Sequence, residues 1–181
     1  MRDQHLSYTY LETPIGRLLL AGTGEELHFI GFPSGKGAFG PEPGWVRSDE
    51  SFGEANAQLL AYFAGELQQF TFPTKLTGTA FQVQVWRALA GIPYGETTSY
   101  GALAEKLGRP GASRAVGAAN GANPIPIVFP CHRVIGSNGS LTGFGGGIEL
   151  KKTLLEHEKA VSGKGDCQPS LFRQAERQSS L

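Results

Sequence analysis

Hydrophobic positions along the chain follow two different rhythms. Up to residue 73 they come in short runs, Tyr8–Leu11, Arg17–Ala21 and Leu27–Ile30, cut by turns at Thr13-Pro14-Ile15-Gly16 and Gly22-Thr23-Gly24. Short β-prone runs punctuated by Gly and Pro predict hairpins. Residues 33–49, with Pro33, Gly35, Gly37, Gly40, Pro41, Pro43 and Gly44, read as a loop. A helix is predicted over Ser51–Leu67. Ser51 with Glu54 fits a capping box, and Leu59, Leu60, Tyr62 and Phe63 make an apolar stripe. Phe70–Pro73 reads as one more strand.

From Ala80 the spacing becomes helical. Phe81, Val85 and Leu89 recur on one face with Val83 and Trp86, and Gly91-Ile92-Pro93-Tyr94-Gly95 stops the pattern. Thr98 is placed to cap a second helix over Tyr100–Leu107, and Gly108-Arg109-Pro110-Gly111 forms a tight turn. A third helix, Ala112–Asn120, is built almost wholly of small residues with one Arg. Two short helices joined by a Gly-containing turn fit a helix-turn-helix, and the small residues would let the second lie close in a groove. An ordinary helical hairpin gives the same pattern. Gly136–Gly147 is a Gly-rich loop without the Gly-Lys-Ser/Thr of a phosphate loop. Ile148–Ala160 is a helix with Leu150, Leu154 and Leu155 on one face and Lys151 and Lys152 on another. The remainder is polar and aperiodic. The expected fold is an α/β domain with a short antiparallel sheet and one helix over residues 1–74. A mainly α domain carrying the helix-turn-helix follows over 75–160, then a disordered tail over 161–181.

Charge and composition narrow the function classes. Residues 1–83 carry five Lys/Arg against nine Asp/Glu, residues 84–134 five against two, and 135–181 six against five. A mildly basic middle suits a modest nucleic-acid contact, and so does a solvated face of mixed charge. No apolar run is long enough to span a bilayer, and no apolar segment follows the first residues as in a signal peptide. No membrane association is expected. The two cysteines, Cys131 and Cys167, leave one bridge open. One bridge is a poor staple for this length, so a reduced, intracellular protein is expected, cytoplasmic, or nuclear if eukaryotic. No Cys/His set has zinc-ligand spacing, and no metal is expected.

The chemistry concentrates in Ile127-Val128-Phe129-Pro130-Cys131-His132-Arg133-Val134. A β-branched run ends at a proline, and a thiol follows beside an imidazole and a guanidinium. Adjacent positive charge or a base lowers a thiol's pKa, and the thiolate is the attacking species. A buried strand ending in a small hydrophobe explains the same residues, because free cysteines are commonly buried.

At Pro130-Cys131-His132-Arg133-Val134 the sequence resembles the 6-O-alkylguanine-DNA alkyltransferases, also called methylated-DNA–protein-cysteine methyltransferases. The likeness extends in order through Tyr94-Gly95-Glu96-Thr97-Thr98-Ser99-Tyr100, Ser113-Arg114-Ala115-Val116-Gly117, Asn123-Pro124, Gly143-Phe144-Gly145-Gly146, and Leu154-Leu155 with Glu158. The resemblance implies single-turnover repair of guanine alkylated on its 6-oxygen in double-stranded DNA, with the base flipped out of the stack. It makes Cys131 the nucleophile, His132 its base through a water, Glu158 the residue orienting the imidazole, and Asn123 a brace beside the site. Tyr100 would help rotate the phosphate and donate to the base. Arg114 would replace the flipped base in the stack, with Ala112, Ser113 and Gly117 against the minor groove. Val134, Phe144, Gly145 and Gly146 would line the base pocket. Several relatives have Tyr where this chain has Phe144, which bears on substrate range. A structural zinc set found in some relatives is absent from the sequence. No cofactor is implied. A monomer is expected, with cooperative binding on DNA left open.

Three rival readings stand beside this one. A lesion-binding protein without transfer would lack the cysteine. A helix-turn-helix regulator would carry more than one base-reading side chain. A cysteine hydrolase would need an oxyanion hole, for which only the loop glycines are available.

Overall fold

A computed structural model describes residues 5–163; the last helix runs to Ser162, two residues into the tail expected to be disordered, and the rest of that tail, with Cys167, lies outside the described residues. Three strands, β1 (Ser7–Thr13), β2 (Gly16–Gly22) and β3 (Leu27–Gly31), form an antiparallel meander. Thr13 pairs with Gly16 across a tight turn, where Gly16 takes φ +104°. A short β4 (Val46–Arg47) joins β1 in parallel, so the sheet is mixed rather than purely antiparallel, in the order β3-β2-β1-β4.

β2 is buried on both faces. Leu18 and Leu20 point into the main core, and Leu19 and Ala21 pack with Leu6 and Trp45 in a second cluster. That two-sided burial explains an unbroken Leu-Leu-Leu-Ala where a half-exposed strand would alternate. Helix α1 (Gly53–Ala64) packs Leu59, Tyr62 and Phe63 into the main core. The expected capping box is not formed. The residue before the helix is Phe52 in the left-handed region, while the Ser51 hydroxyl donates to Ser48 Oγ and Glu54 accepts from Gln58. The expected strand at Phe70–Pro73 shrinks to one bridge, Leu27 with Thr74. Pro73 has no N–H to donate, and the Gln58 side chain accepts the Thr71 N–H at Oε1 and donates from Nε2 to the Thr71 hydroxyl.

The second half holds α2 (Ala80–Leu89), β5 (Thr98–Ser99), α3 (Tyr100–Lys106), α4 (Ser113–Gly121), β6 (Val134–Ile135) and α5 (Ile148–Ser162). Thr79 and Gln82 form a reciprocal capping box on α2. Ser99, not Thr98, caps α3 by accepting from the Ala102 N–H at 3.1 Å. Thr98 is instead drawn into β5, which pairs in parallel with β6. α3 and α4 pack against each other, and α4 also packs on α2, where Trp86 Nε1 donates to the Ala119 carbonyl at 2.8 Å. The main core is continuous across both halves, from Leu18 and Leu59 through Trp86 and Val116 to Leu154. No helix among the described residues is long and apolar enough to cross a membrane.

Candidate active site

The segment ahead of the cysteine is not a strand. Residues 124–129 form turns, with Ile127 at φ +74°, a conformation that a β-branched residue adopts only under constraint. Asn123 supplies the constraint. Its Nδ2 donates to the Phe129 carbonyl at 2.7 Å, and its Oδ1 accepts the Ile125 N–H at 3.0 Å. One side chain thus closes both ends of the loop, in place of a backbone ladder. The loop delivers Cys131 to the start of a single 3-10 turn, Cys131–Arg133, buried throughout.

Behind the cysteine lies a carboxylate with five donors. Glu158, on α5, accepts from His132 Nε2 at 2.7 Å, Tyr62 Oη at 2.8 Å, Arg133 Nε and Nη2 at 2.8 and 3.0 Å, and the Gly95 N–H at 3.1 Å. Gly95 sits at φ +75°, and a Cβ there would meet Ser162 Oγ at 2.5 Å, so only glycine brings its N–H to this carboxylate. Burial drives the Glu158 carboxyl upward, but His132 and Arg133 outweigh it and hold the group well below the ordinary carboxylate range. Glu158 is therefore an anion at neutral pH, and its partner Nε2 carries the imidazole proton. Burial keeps His132 below its usual pKa despite Glu158, so the ring is neutral and Nδ1 is a free lone pair. Nδ1 is buried and has no partner among the described residues.

The thiol departs from expectation. Burial pushes Cys131 up to about 11, against the pull of Asn123 and Lys151. The resting site is a neutral thiol near a neutral imidazole, not a preformed thiolate pair.

A residue with no expected role completes the surroundings. Lys151, expected on the polar side of α5, is fully buried. Its Nζ donates to the carbonyls of Val134 at 2.5 Å and Thr142 at 2.7 Å, and lies 5.9 Å from the centre of the Tyr100 ring. Burial brings it down to about 8. Its charge acts on both Cys131 and His132. The signal was present in the sequence: Lys151 stands three, four and seven residues before Leu154, Leu155 and Glu158, on their face of the helix. Tyr62, 96 residues from Glu158, carried no such signal.

The other candidate residues divide between two hollows. A groove of about 480 Å³ is lined by Tyr100, Ser113, Arg114 and Gly117 together with Gly136, Ser137, Thr142 and Gly143. Tyr100 Oη donates to the Thr142 carbonyl at 3.0 Å, and Arg114 is exposed. Ala112, just before α4, packs against the core instead. A cavity of about 610 Å³ reaches Cys131, with Asn120, Asn123, Pro126 and Gly145 on one side and Phe29, Lys36 and Phe39 of the sheet domain on the other. Val134 is fully buried. The Phe144 ring is turned into the protein between Phe32, at 5.3 Å, and His132, at 6.5 Å. The Gly145 carbonyl accepts the Gly37 N–H at 2.9 Å, and a Cβ on Gly35 would stand 2.6 Å from that carbonyl. The two loops touch backbone to backbone. Among the described residues no three His, Cys, Asp or Glu side chains gather as a metal set.

Residues 6–76 match the family described as "6-O-methylguanine DNA methyltransferase, ribonuclease-like domain", and residues 80–160 match "6-O-methylguanine DNA methyltransferase, DNA binding domain". The methylated-DNA–protein-cysteine methyltransferase of Methanosarcina acetivorans is 52% identical over 83% of this chain and 97% of its own length. That of Mycobacterium leprae is 53% identical over 82% and 90%. The crystal structure of Mycobacterium tuberculosis OGT in complex with DNA superposes with a TM-score of 0.80 at 50% identity, covering 87% of this chain and 94% of that one.

Proposed function

The chain belongs to the 6-O-methylguanine DNA methyltransferase family, and on that premise we propose that it repairs DNA by moving an alkyl group from the 6-oxygen of guanine to its own Cys131. The observation that carries this reading is the buried pair of Glu158 with His132, the residue directly after Cys131 in the chain, with an uncommitted Nδ1 and an anionic end.

The reaction runs from a neutral thiol. As substrate enters, the thiol proton passes to the His132 lone pair, through a water, and the Glu158 charge stabilises the imidazolium that forms. The thiolate sulfur attacks the alkyl carbon in line. A carbon–sulfur bond forms, the carbon–oxygen bond breaks, and its electrons leave on guanine, which takes up a proton as it departs. Tyr100, whose ionisation the Cys131 charge opposes, offers that proton once it leaves the Thr142 carbonyl, and the Lys151 ammonium steadies the negative charge on sulfur and on the leaving base. The product is a thioether with no route back, so each molecule acts once, and no diffusible cofactor is consumed.

Residues 75–160 do the chemistry and meet the DNA in this reading, with the groove beside α4 against the duplex. Arg114, exposed at its rim, fills the gap left by the flipped base, and Ser113 and Gly117 allow close approach. The cavity at Cys131 takes the base against Gly145; Val134, Phe144 and Gly146, expected at the base pocket, are not among the residues that line it. Residues 1–74 back this cavity. The protein acts as a monomer on its lesion, in the cytoplasm.

Intact mass after incubation with duplex DNA carrying one 6-O-methylguanine tests the reading. Wild type gains ~14 Da, one methylene, and Cys131→Ala gains nothing. Tight binding of the damaged duplex by wild type without a mass change would establish lesion recognition without transfer.

A further inference from the structure

The helix that supplies Tyr62 belongs to the sheet domain, yet its hydroxyl ends on the carboxylate that orients His132. We propose that Tyr62 is a positioning residue for alkyl transfer, fixing the Glu158 oxygen that holds His132 and so making the N-terminal domain part of the proton relay. The proposal rests on the function argued above.

Tyr62 and His132 converge on the same oxygen, Oε1, at 2.8 and 2.7 Å. Arg133 Nη2 is a third donor to that oxygen while its Nε holds Oε2, so the carboxylate is pinned at both oxygens. The Tyr62 ring needs no hydroxyl for its own packing. It is fully buried against Phe63, Phe70, Tyr94 and His157, with ring centres 5.3–6.0 Å away. Its carbonyl accepts His157 Nε2 at 2.8 Å, which ties the end of α1 to α5 one residue from Glu158. The donor therefore cannot drift relative to its acceptor.

A neutral donor suits this place. The groups facing Glu158 are His132 and Arg133 from the 3-10 turn, Tyr94 and the Gly95 N–H from the loop before β5, and Tyr62 from α1; His157 and Lys151 share α5 with it but are bonded to the Tyr62 carbonyl and to the Val134 and Thr142 carbonyls. Another cation here would oppose formation of the His132 imidazolium. A phenol stabilises the carboxylate and opposes the imidazolium far less than a full charge would, and burial keeps its proton in place across the working pH range.

Tyr62→Phe keeps the ring and removes the donor. Single-turnover transfer from the 6-O-methylguanine duplex is measured across pH for wild type and Tyr62→Phe, together with the His132 ring titration by NMR without DNA. Transfer at pH 7 is expected to slow about tenfold, a fraction of what a general base supplies. Glu158, relieved of one donor, pulls harder on the Nε2 proton. The His132 titration and the acid limb of the rate profile should both move to higher pH. Superimposable profiles with an unchanged His132 titration would overturn the proposal. So would a uniform loss of rate with the profile's shape preserved, because a merely structural role moves rate and not pH dependence. A wild type that leaves Cys131 unmethylated overturns the function reading, whatever Tyr62 does, and takes this proposal with it.

Discussion

Replacing Glu158 by Gln isolates the charge at the centre of the site. Gln has nearly the same shape, so the core is not hollowed. It cannot serve five donors, and its own amide N–H group would face one of them. The Arg133 guanidinium, 5% exposed, would lose its counter-charge while still buried. Removing one partner of a buried ion pair costs about 3–5 kcal/mol. For a chain of this length each kcal/mol moves the melting temperature by about 2–4 °C, so Glu158→Gln should melt roughly 6–20 °C lower at pH 7. The gap must also depend on pH. The carboxyl's folded-state pKa lies below the ordinary 4.5. Its stabilisation is then complete above the unfolded value and fades as the pH falls through the folded one. Thermal unfolding of both proteins between pH 3 and 8 should show a constant difference down to about pH 5 that narrows in acid. Equal melting temperatures at pH 7, or a difference unchanged down to pH 3, would refute the account of Glu158 as a buried, multiply bonded anion.

Two further predictions concern the groups around the sulfur. Lys151→Met removes the buried ammonium, and single-turnover transfer at pH 7 should slow about tenfold, the equivalent of ~1.4 kcal/mol. Lys151 loses its proton as the pH rises through about 8, so the ratio of wild-type to variant rates should shrink above that pH, and a constant ratio would count against the charge as the cause. The neutral resting thiol can be tested without DNA, in a Cys167→Ser background, by labelling with iodoacetamide at pH 7.5. A pKa of about 11 leaves Cys131 with a few-hundred-fold less thiolate than a free thiol at ~8.5, partly offset by the greater nucleophilicity of a more basic sulfur. Labelling should be roughly 30-fold slower than for free cysteine; a faster reaction would mean that the resting site already holds a thiolate.

What the sequence revealed and what it hid follow from how far apart the interacting groups lie in the chain. The Cys131–His132 pair is adjacent and could be read before the fold was known, whereas Glu158, 26 residues further on, was assigned only through the family resemblance. Ile125, Ile127 and Val128 favour extended backbone, and on that preference the approach to Cys131 read as a strand. Prolines 124, 126 and 130 argued otherwise, since each removes a donor that a strand ladder needs. The Asn123 side chain then supplies what the backbone cannot, at the cost of a left-handed Ile127. Lys151 was misplaced for the opposite reason: its charge predicted a wet face, whereas its position in the helix repeat put it with Leu154 and Glu158, and two backbone carbonyls made burial tolerable. For the thiol the sequence offered both activating neighbours and burial, and did not say which outweighs the other. Desolvation outweighs the nearby charges and keeps the sulfur protonated until substrate arrives. A protein that is spent by one reaction gains from that balance, because a sulfur held neutral and covered is shielded from adventitious electrophiles before it meets a lesion.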